Sequence, residues 1–409
     1  MSPLRSITHQ FFSNPQADRA ARYADHGRIR ILSLAALDDA RREIMSWPGY
    51  EPTPLRDLAG LARAAGLGQI RLKDEGGRFG LGSFKALGGA YAVLRIVQKE
   101  IAARTGRQAR AAEIAAGQYA SLTSTMTMTA ATDGNHGRSV AWGARTFGCR
   151  CTIYMPETVS IGRVHAIESY GGTVRRLAGT YDDCVRQAAA DAAREGWHVV
   201  SDTSYEDYVE VPRDVMQGYC LMVEEALEQA EQPLTHVFVQ AGVGGLAAAV
   251  CACMWERQGP ARPRFVLVEP DKAACFFCSA VAGRPTKVEG TLDTIMAGLA
   301  SGEVAPEAWE ILSVGADAFL TIADEAASQT MIVLAEAPFG DRPVVTGESG
   351  VAGLAGLLVA AADPGTREAL ALDATSCVLV FGTEGATDPE VYRQIVGRRP
   401  DEVVRLGLA

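Results

Sequence analysis

Four short segments concentrate the residue types that do chemistry. The first, Gly80-Leu81-Gly82-Ser83-Phe84-Lys85-Ala86-Leu87-Gly88-Gly89-Ala90, sets one lysine among small and apolar neighbours where a helix begins. A cation there meets the positive pole of the helix dipole, so Lys85 gains little structurally from its place. Apolar surroundings lower an ammonium pKa by desolvation and release the neutral amine, a nucleophile toward carbonyl carbon. The alternative is a solvated surface lysine.

The second, Thr132-Asp133-Gly134-Asn135-His136-Gly137, follows an apolar strand and opens a helix. Its glycines let backbone approach a ligand, and Asn135 with the first helical N–H groups offers donors to an oxygen or carboxylate. Read structurally, Asp133 is an N-cap and His136 a packed core residue. The third, Gln240-Ala241-Gly242-Val243-Gly244-Gly245-Leu246, again lies between a strand and a helix. Backbone amides of such a row either cradle a phosphate at the helix N-terminus or form a tight turn. It is not a dinucleotide fingerprint, because the Gly-x-Gly-x-x-Gly spacing fails and no acidic partner follows at the usual interval. The fourth, Val380-Phe381-Gly382-Thr383-Glu384-Gly385-Ala386-Thr387-Asp388, ends a buried strand in hydroxyl and carboxylate side chains, where α/β sheets hold ligands. Capping of the next helix is the plainer account.

These segments need elements to position them. Before residue 85 the pattern is irregular, with helices expected around 37–45 and 55–65 and a strand at 70–73. Helices at 86–97, 135–147, 162–170 and 182–195 then alternate with strands at 125–131, 151–155, 173–177 and 198–200. A second run follows: helix 215–230, strand 236–240, helix 246–254, strand 264–269, a long mixed region, helix 350–362, strand 376–381 and a terminal helix from Pro389. Such βαβ repetition requires parallel sheets covered by helices, an α/β fold with two layered units and a ligand cleft between them. The stretch 102–121, rich in Ala and Arg, reads as an exposed helical insertion.

Composition sets the bounds. A chain of 409 residues, 48% hydrophobic and 22% charged, is an ordinary soluble protein long enough for two or so packed units. A net charge of −10 argues against nucleic acid or an anionic membrane surface as the main partner. Nine cysteines are too sparse for a disulfide scaffold and the N-terminal stretch lacks the apolar run of a secretory signal, so a cytoplasmic location is expected. The uncharged stretch 232–255 imitates a membrane span in length, but Gln240, Gly242, Gly244 and Gly245 at its centre make it a strand, a turn and an Ala-rich helix. No metal site is expected. Cys275-Phe276-Phe277-Cys278 has no second pair beside it, and His9, His26, His165, His198 and His236 share no spacing.

Taken together and in this order, the four segments resemble the fold type II family of pyridoxal-5′-phosphate enzymes, which includes threonine dehydratase and the tryptophan synthase β chain. The resemblance covers nearly the whole chain. Strings such as Arg78-Phe79-Gly80-Leu81, Ala131-Thr132-Asp133-Gly134-Asn135-His136-Gly137-Arg138, Met216-Gln217-Gly218-Tyr219, Ile295-Met296-Ala297-Gly298-Leu299-Ala300 and Gly347-Glu348-Ser349-Gly350 resemble its diaminopropionate ammonia-lyase branch.

The resemblance implies two three-layer α/β domains with mainly parallel sheets and the cofactor in the cleft between them. The large domain would comprise 1–85 and 201–409, with a small domain, 86–200, inserted in it, and the enzyme would be a homodimer. Lys85 would hold pyridoxal 5′-phosphate as a Schiff base beside Phe84, Asn135 would contact its phenolic oxygen, and Gly242, Val243, Gly244 and Gly245 would bind its phosphate. Glu348 would line the cofactor cleft, a carboxylate at a helix start being the simpler reading. The hydroxyl facing the ring nitrogen falls on Thr383, with Thr387 as the alternative. Asp133 replaces the serine of threonine dehydratase, and a carboxylate there can take a proton from Cα or attract a β-ammonium group. Asp202 matches a second aspartate of the branch.

Acting on different sides of the cofactor, these two would deprotonate either enantiomer, Asp133 the D form and Asp202 the L form. The reaction implied is α,β-elimination of 2,3-diaminopropionate, a small amino acid, to pyruvate and ammonia. Elimination from serine, threonine or a related hydroxy amino acid is the alternative within enzymes. A non-catalytic ligand-binding module is the alternative outside them, and retention of Lys85, Asp133 and Asp202 weighs against it.

Overall fold

The computed structural model describes residues 7–132, 134–205 and 207–407. Strands β1 (His9–Ser13), β2 (Leu55–Asp57) and β3 (Gln69–Asp74) are followed by β4 (Thr127–Ala131), β5 (Arg150–Pro156), β6 (Thr173–Leu177) and β7 (His198–Val199). Then come β8 (His236–Gln240), β9 (Arg264–Pro270), β10 (Ala318–Ile322) and β11 (Cys377–Gly382). Strands β4 to β7 form one parallel sheet in the order β6-β5-β4-β7. The others form a seven-stranded sheet, β1-β10-β9-β8-β11-β3-β2, parallel except for its two antiparallel edges, β1 and β2. Every residue of β8 and β11 is buried, as expected of a parallel sheet covered on both faces.

The chain divides into two compact units. One takes the residues up to Leu34, Pro52–Gly77 and those from Met222 on, and holds the seven-stranded sheet; the other, Ala35–Glu51 with Arg78–Leu221, holds the four-stranded sheet. The second unit is larger than the expected span 86–200, for two packing reasons. The buried Trp47 ring lies 5.7 Å from that of Trp142 and 5.8 Å from those of Phe79 and Phe147, which draws in the segment around it. At the other end the Tyr219 ring packs 4.6 Å from Phe84.

Three local expectations change. Residues 55–65 are not one helix: Leu55–Asp57 pairs antiparallel with β3, and the helix is only Ala59–Ala65. The 102–121 stretch is not a single exposed helix; the helix Lys85–Thr105 ends within it, and Ala109, Ala111 and Ile114 are buried near the short helix Ala111–Ala115. The long mixed region contains β10 and the helices Pro306–Gly315 and Asp324–Glu336.

The apolar helix Ala352–Ala362 shares one core with Phe238, Val266, Val268 and Leu320 of the larger sheet. No helix among the described residues is long and apolar enough to cross a membrane.

Candidate active site

Lys85 is the first residue of helix Lys85–Thr105. The first two turns of this helix are buried nearly all round, and neighbouring helices approach it closely. A Cβ at Gly89 would stand 1.9 Å from Ser139 Oγ, and one at Gly88 2.4 Å from the Tyr219 ring, so the Leu87-Gly88-Gly89-Ala90 string is a packing requirement. Lys85 Nζ lies 5.5 Å from the centre of the Phe84 ring and 5.9 Å from that of Tyr219, and donates a 2.6 Å hydrogen bond to Asp202 Oδ2. It is a partly buried, paired lysine, not a solvated surface one.

Asp202 follows β7 on a backbone gripped at three points. His136 Nε2 is 2.7 Å from the Val200 carbonyl oxygen, so that nitrogen carries the proton. The Tyr208 hydroxyl donates to the Val199 carbonyl at 2.9 Å and accepts from Ser201 N at 3.0 Å. His136 Nδ1 then stands 3.8 Å from Asp202 Oδ2. Burial acts to raise the Asp202 pKa, but the charges of Lys85 and His136 and the Lys85 hydrogen bond outweigh it and hold the carboxyl well below the usual carboxylate range. His136 is therefore buried as the core reading expects, yet its second nitrogen faces an acid.

Asn135 opens helix Asn135–Thr146, whose first turn is capped by the Thr132 hydroxyl accepting from Gly134 N at 3.0 Å and Gly137 N at 3.2 Å. Asp133 lies outside the described residues, as does the His26 side chain.

The other unit carries the glycine row and the late strand end. Gly244, at φ +99°, precedes helix Gly245–Gln258, and a Cβ there would stand 2.2 Å from the Phe276 ring. The turn is pinned by a hydrogen bond from Ala305 N to the Val243 carbonyl at 3.0 Å and by the Cys275 thiol, 3.6 Å from the Gly242 carbonyl. Phe276 is itself fixed by Glu269 at the end of β9, whose carboxyl oxygens accept from Phe276 N and Phe277 N, each at 2.8 Å. Burial pushes the Glu269 carboxyl up to about 8, against the opposing pull of those two N–H groups.

Thr383 lies one residue beyond β11 and is buried; its Oγ1 accepts from Gln240 Nε2 at 2.9 Å. The Thr387 hydroxyl instead donates to Glu384 Oε2 at 3.4 Å. Glu348 is buried, and because the next helix starts only at Ala352, it is not a helix-start carboxylate. Among the described residues no group of three or more His, Cys, Asp or Glu could hold a metal ion. Gln240, Glu269 and Tyr208 were not expected as site residues; Gln240 and Glu269 end the expected strands 236–240 and 264–269, which was the available signal.

These residues suit pyridoxal phosphate. Lys85 offers an amine, the glycine row offers backbone N–H groups at a helix N-terminus in a space a Cβ would fill, and Thr383 offers a buried hydroxyl.

Comparison with known proteins gives the class. A family model described as pyridoxal-phosphate dependent enzyme matches residues 46–380. The chain belongs to that family, with the fold type II architecture. It is similar to the diaminopropionate ammonia-lyase of Escherichia coli strain K12, 40% identical over 377 residues, which cover 90% of this chain and 92% of that one. The protein of the same name from Salmonella typhimurium is 39% identical over 360 residues, 85% of this chain and 89% of that one. Among solved structures, holo diaminopropionate ammonia lyase from Escherichia coli matches with a TM-score of 0.87 and 36% identity, covering 96% of this chain and 97% of that one.

Proposed function

We propose that the protein uses pyridoxal phosphate to convert 2,3-diaminopropionate to pyruvate and ammonia. The observation that carries this reading is the 2.6 Å pair of Lys85 and Asp202, which puts an amine nucleophile and a carboxylate base side by side in a chain similar to the ammonia-lyases over nine-tenths of its length. When bound, pyridoxal phosphate supplies an electron sink that stabilises negative charge at the substrate Cα.

Lys85 is the residue that links to the cofactor, with Phe84 beside it. Asn135 contacts the phenolic oxygen, Gly242, Val243, Gly244 and Gly245 hold the phosphate through their N–H groups, Thr383 faces the ring nitrogen, and Glu348 lines the cofactor site. Asp202 takes the Cα proton of the L substrate and Asp133 that of the D substrate. The β-amino group leaves as ammonia, and hydrolysis of the unsaturated amino acid gives pyruvate and a second ammonia. Nine free cysteines support a reducing compartment, and we place the enzyme in the cytoplasm as a homodimer, a state that light scattering checks.

The test is to incubate the cofactor-saturated protein with D- and L-2,3-diaminopropionate, serine and threonine, measuring keto acid and ammonia together. Two ammonia per pyruvate from diaminopropionate supports the reading. Turnover confined to serine or threonine, with one ammonia per keto acid, makes it a dehydratase. No turnover of any of them leaves a binding module.

A further inference from the structure

Gln240, the last residue of β8, is 1% exposed, and its amide nitrogen faces three acceptors: the Gly350 carbonyl at 3.0 Å, the Phe381 carbonyl at 3.1 Å and Thr383 Oγ1 at 2.9 Å. Two of these are carbonyl oxygens, which only accept, so the orientation of the amide is fixed: turned over, it would set oxygen against oxygen. The amide has two N–H groups for these three acceptors, and Thr383 Oγ1, the nearest at 2.9 Å, accepts one while the two carbonyls share the other. The Thr383 hydroxyl's own proton is left without an acceptor among the described residues, in a side chain only 4% exposed. A buried hydroxyl proton without an acceptor is unfavourable unless a ligand supplies one.

We propose that Gln240 is a positioning residue that commits the Thr383 hydroxyl to act as a donor toward the cofactor's ring nitrogen. The inference rests on the reading that Thr383 faces that nitrogen. A protonated ring nitrogen needs an acceptor. One of the two lone pairs on Thr383 Oγ1 is taken by Gln240, and the hydroxyl proton has no other acceptor among the described residues, so donation to a neutral nitrogen is the arrangement that satisfies the hydroxyl, while Gln240 Oε1 stays without a hydrogen-bond partner.

The experiment loads the holoenzyme with pyridoxal phosphate carrying ¹⁵N in the ring and reads the nitrogen's chemical shift, together with the cofactor dissociation constant. Variants are Thr383→Val, Thr383→Ser, Gln240→Glu, Gln240→Met and the double variant Gln240→Met with Thr383→Val. A carboxylate at 240 would capture the hydroxyl proton. A thioether there would free the Phe381 and Gly350 carbonyls to take it, so the methionine variant carries the test if the buried carboxylate prevents folding.

Both Gln240 variants should move the resonance toward that of a nitrogen without a donor, as Thr383→Val does, with affinity about three- to tenfold weaker, the size expected for one hydrogen bond. Thr383→Ser should restore the wild-type shift, and the double variant should be no worse than Thr383→Val alone. If Thr383→Val moves the resonance and neither Gln240 variant does, Gln240 does not direct the hydroxyl, although Thr383 still faces the ring. If Thr383→Val leaves the resonance in place, the reading of Thr383 itself fails.

Discussion

Asp202 Oδ2 is shared between Lys85 Nζ at 2.6 Å and His136 Nδ1 at 3.8 Å, so the basicity of the carboxylate depends on the charge of the lysine beside it. While Lys85 is an ammonium ion, Asp202 is a poor base. Once the lysine is uncharged, the largest favourable influence on the carboxylate disappears, burial acts unopposed by it, and Asp202 becomes able to take a proton.

The lysine is tested directly. Lys85→Ala should abolish the covalent linkage to pyridoxal phosphate, and a borohydride-reduced digest of the wild type should carry the pyridoxyl group on Lys85. Finding the label on another lysine removes the assignment.

The glycine cradle makes a geometric prediction. Gly244→Ala forces a Cβ to within 2.2 Å of the Phe276 ring at φ +99°, a left-handed conformation that costs about 1–2 kcal/mol for a residue with a side chain. Cofactor affinity should fall by about tenfold or more at these energies, with the fold retained by circular dichroism. Adding Phe276→Leu should recover part of the loss by making room. An unchanged dissociation constant would reduce the row to an ordinary turn.

For the two aspartates the expectation is opposite stereochemical damage. Asp202→Asn should impair turnover of L-diaminopropionate, and Asp133→Asn that of the D form, each by the roughly 10²–10⁴-fold that an effective general base contributes. Small, equal losses for both enantiomers in both variants would show that neither residue is the base and would shift that role to Lys85.

Glu269 couples the turn at 242–245 to pH. A carboxyl with a raised folded pKa favours the folded state in its protonated form. That contribution is complete below about 4.3, the ordinary glutamate value, declines as pH rises, and is gone above about 8. Glu269→Gln, uncharged throughout, should come close to wild type in acid, where the wild-type carboxyl is also neutral, and should become the more stable of the two as pH rises through this window in denaturant titrations of the cofactor-saturated protein. A difference that stays constant with pH would mean that the wild-type carboxyl does not titrate there.

Much of this was legible in the residue pattern, for identifiable reasons. Strands β8, β9 and β11 are continuous apolar runs bounded by turn residues, so their extent follows from local sequence. Leu55-Arg56-Asp57 misled because its strand character comes from pairing with β3, a tertiary influence that overrides local preference. The edge strand β1 was missed for the same reason, its partner β10 lying about 300 residues away. In the site, Lys85 and the glycine row announce themselves by residue type. Gln240 and Tyr208 do not, because what they do is decided by the atoms opposite them: a glutamine amide becomes informative only when two carbonyls fix its orientation, and a tyrosine hydroxyl only when it is seen bridging Val199 and Ser201.

The pairing of β3 with β11 also sets an order of events during synthesis. Gln69–Asp74 leaves the ribosome roughly 300 residues before the Cys377–Gly382 strand it lies against, a wait of about 15–60 s at ordinary elongation rates. The four-stranded sheet draws its strands from the unbroken stretch Thr127–Val199 and can close during that interval. Nascent chains arrested well after Leu221, once the exit tunnel has released it, should accordingly protect β4 to β7 from protease while β3 remains cleavable, and Ile70 and Leu72 gain the β11 strand they lie against only near the end of translation.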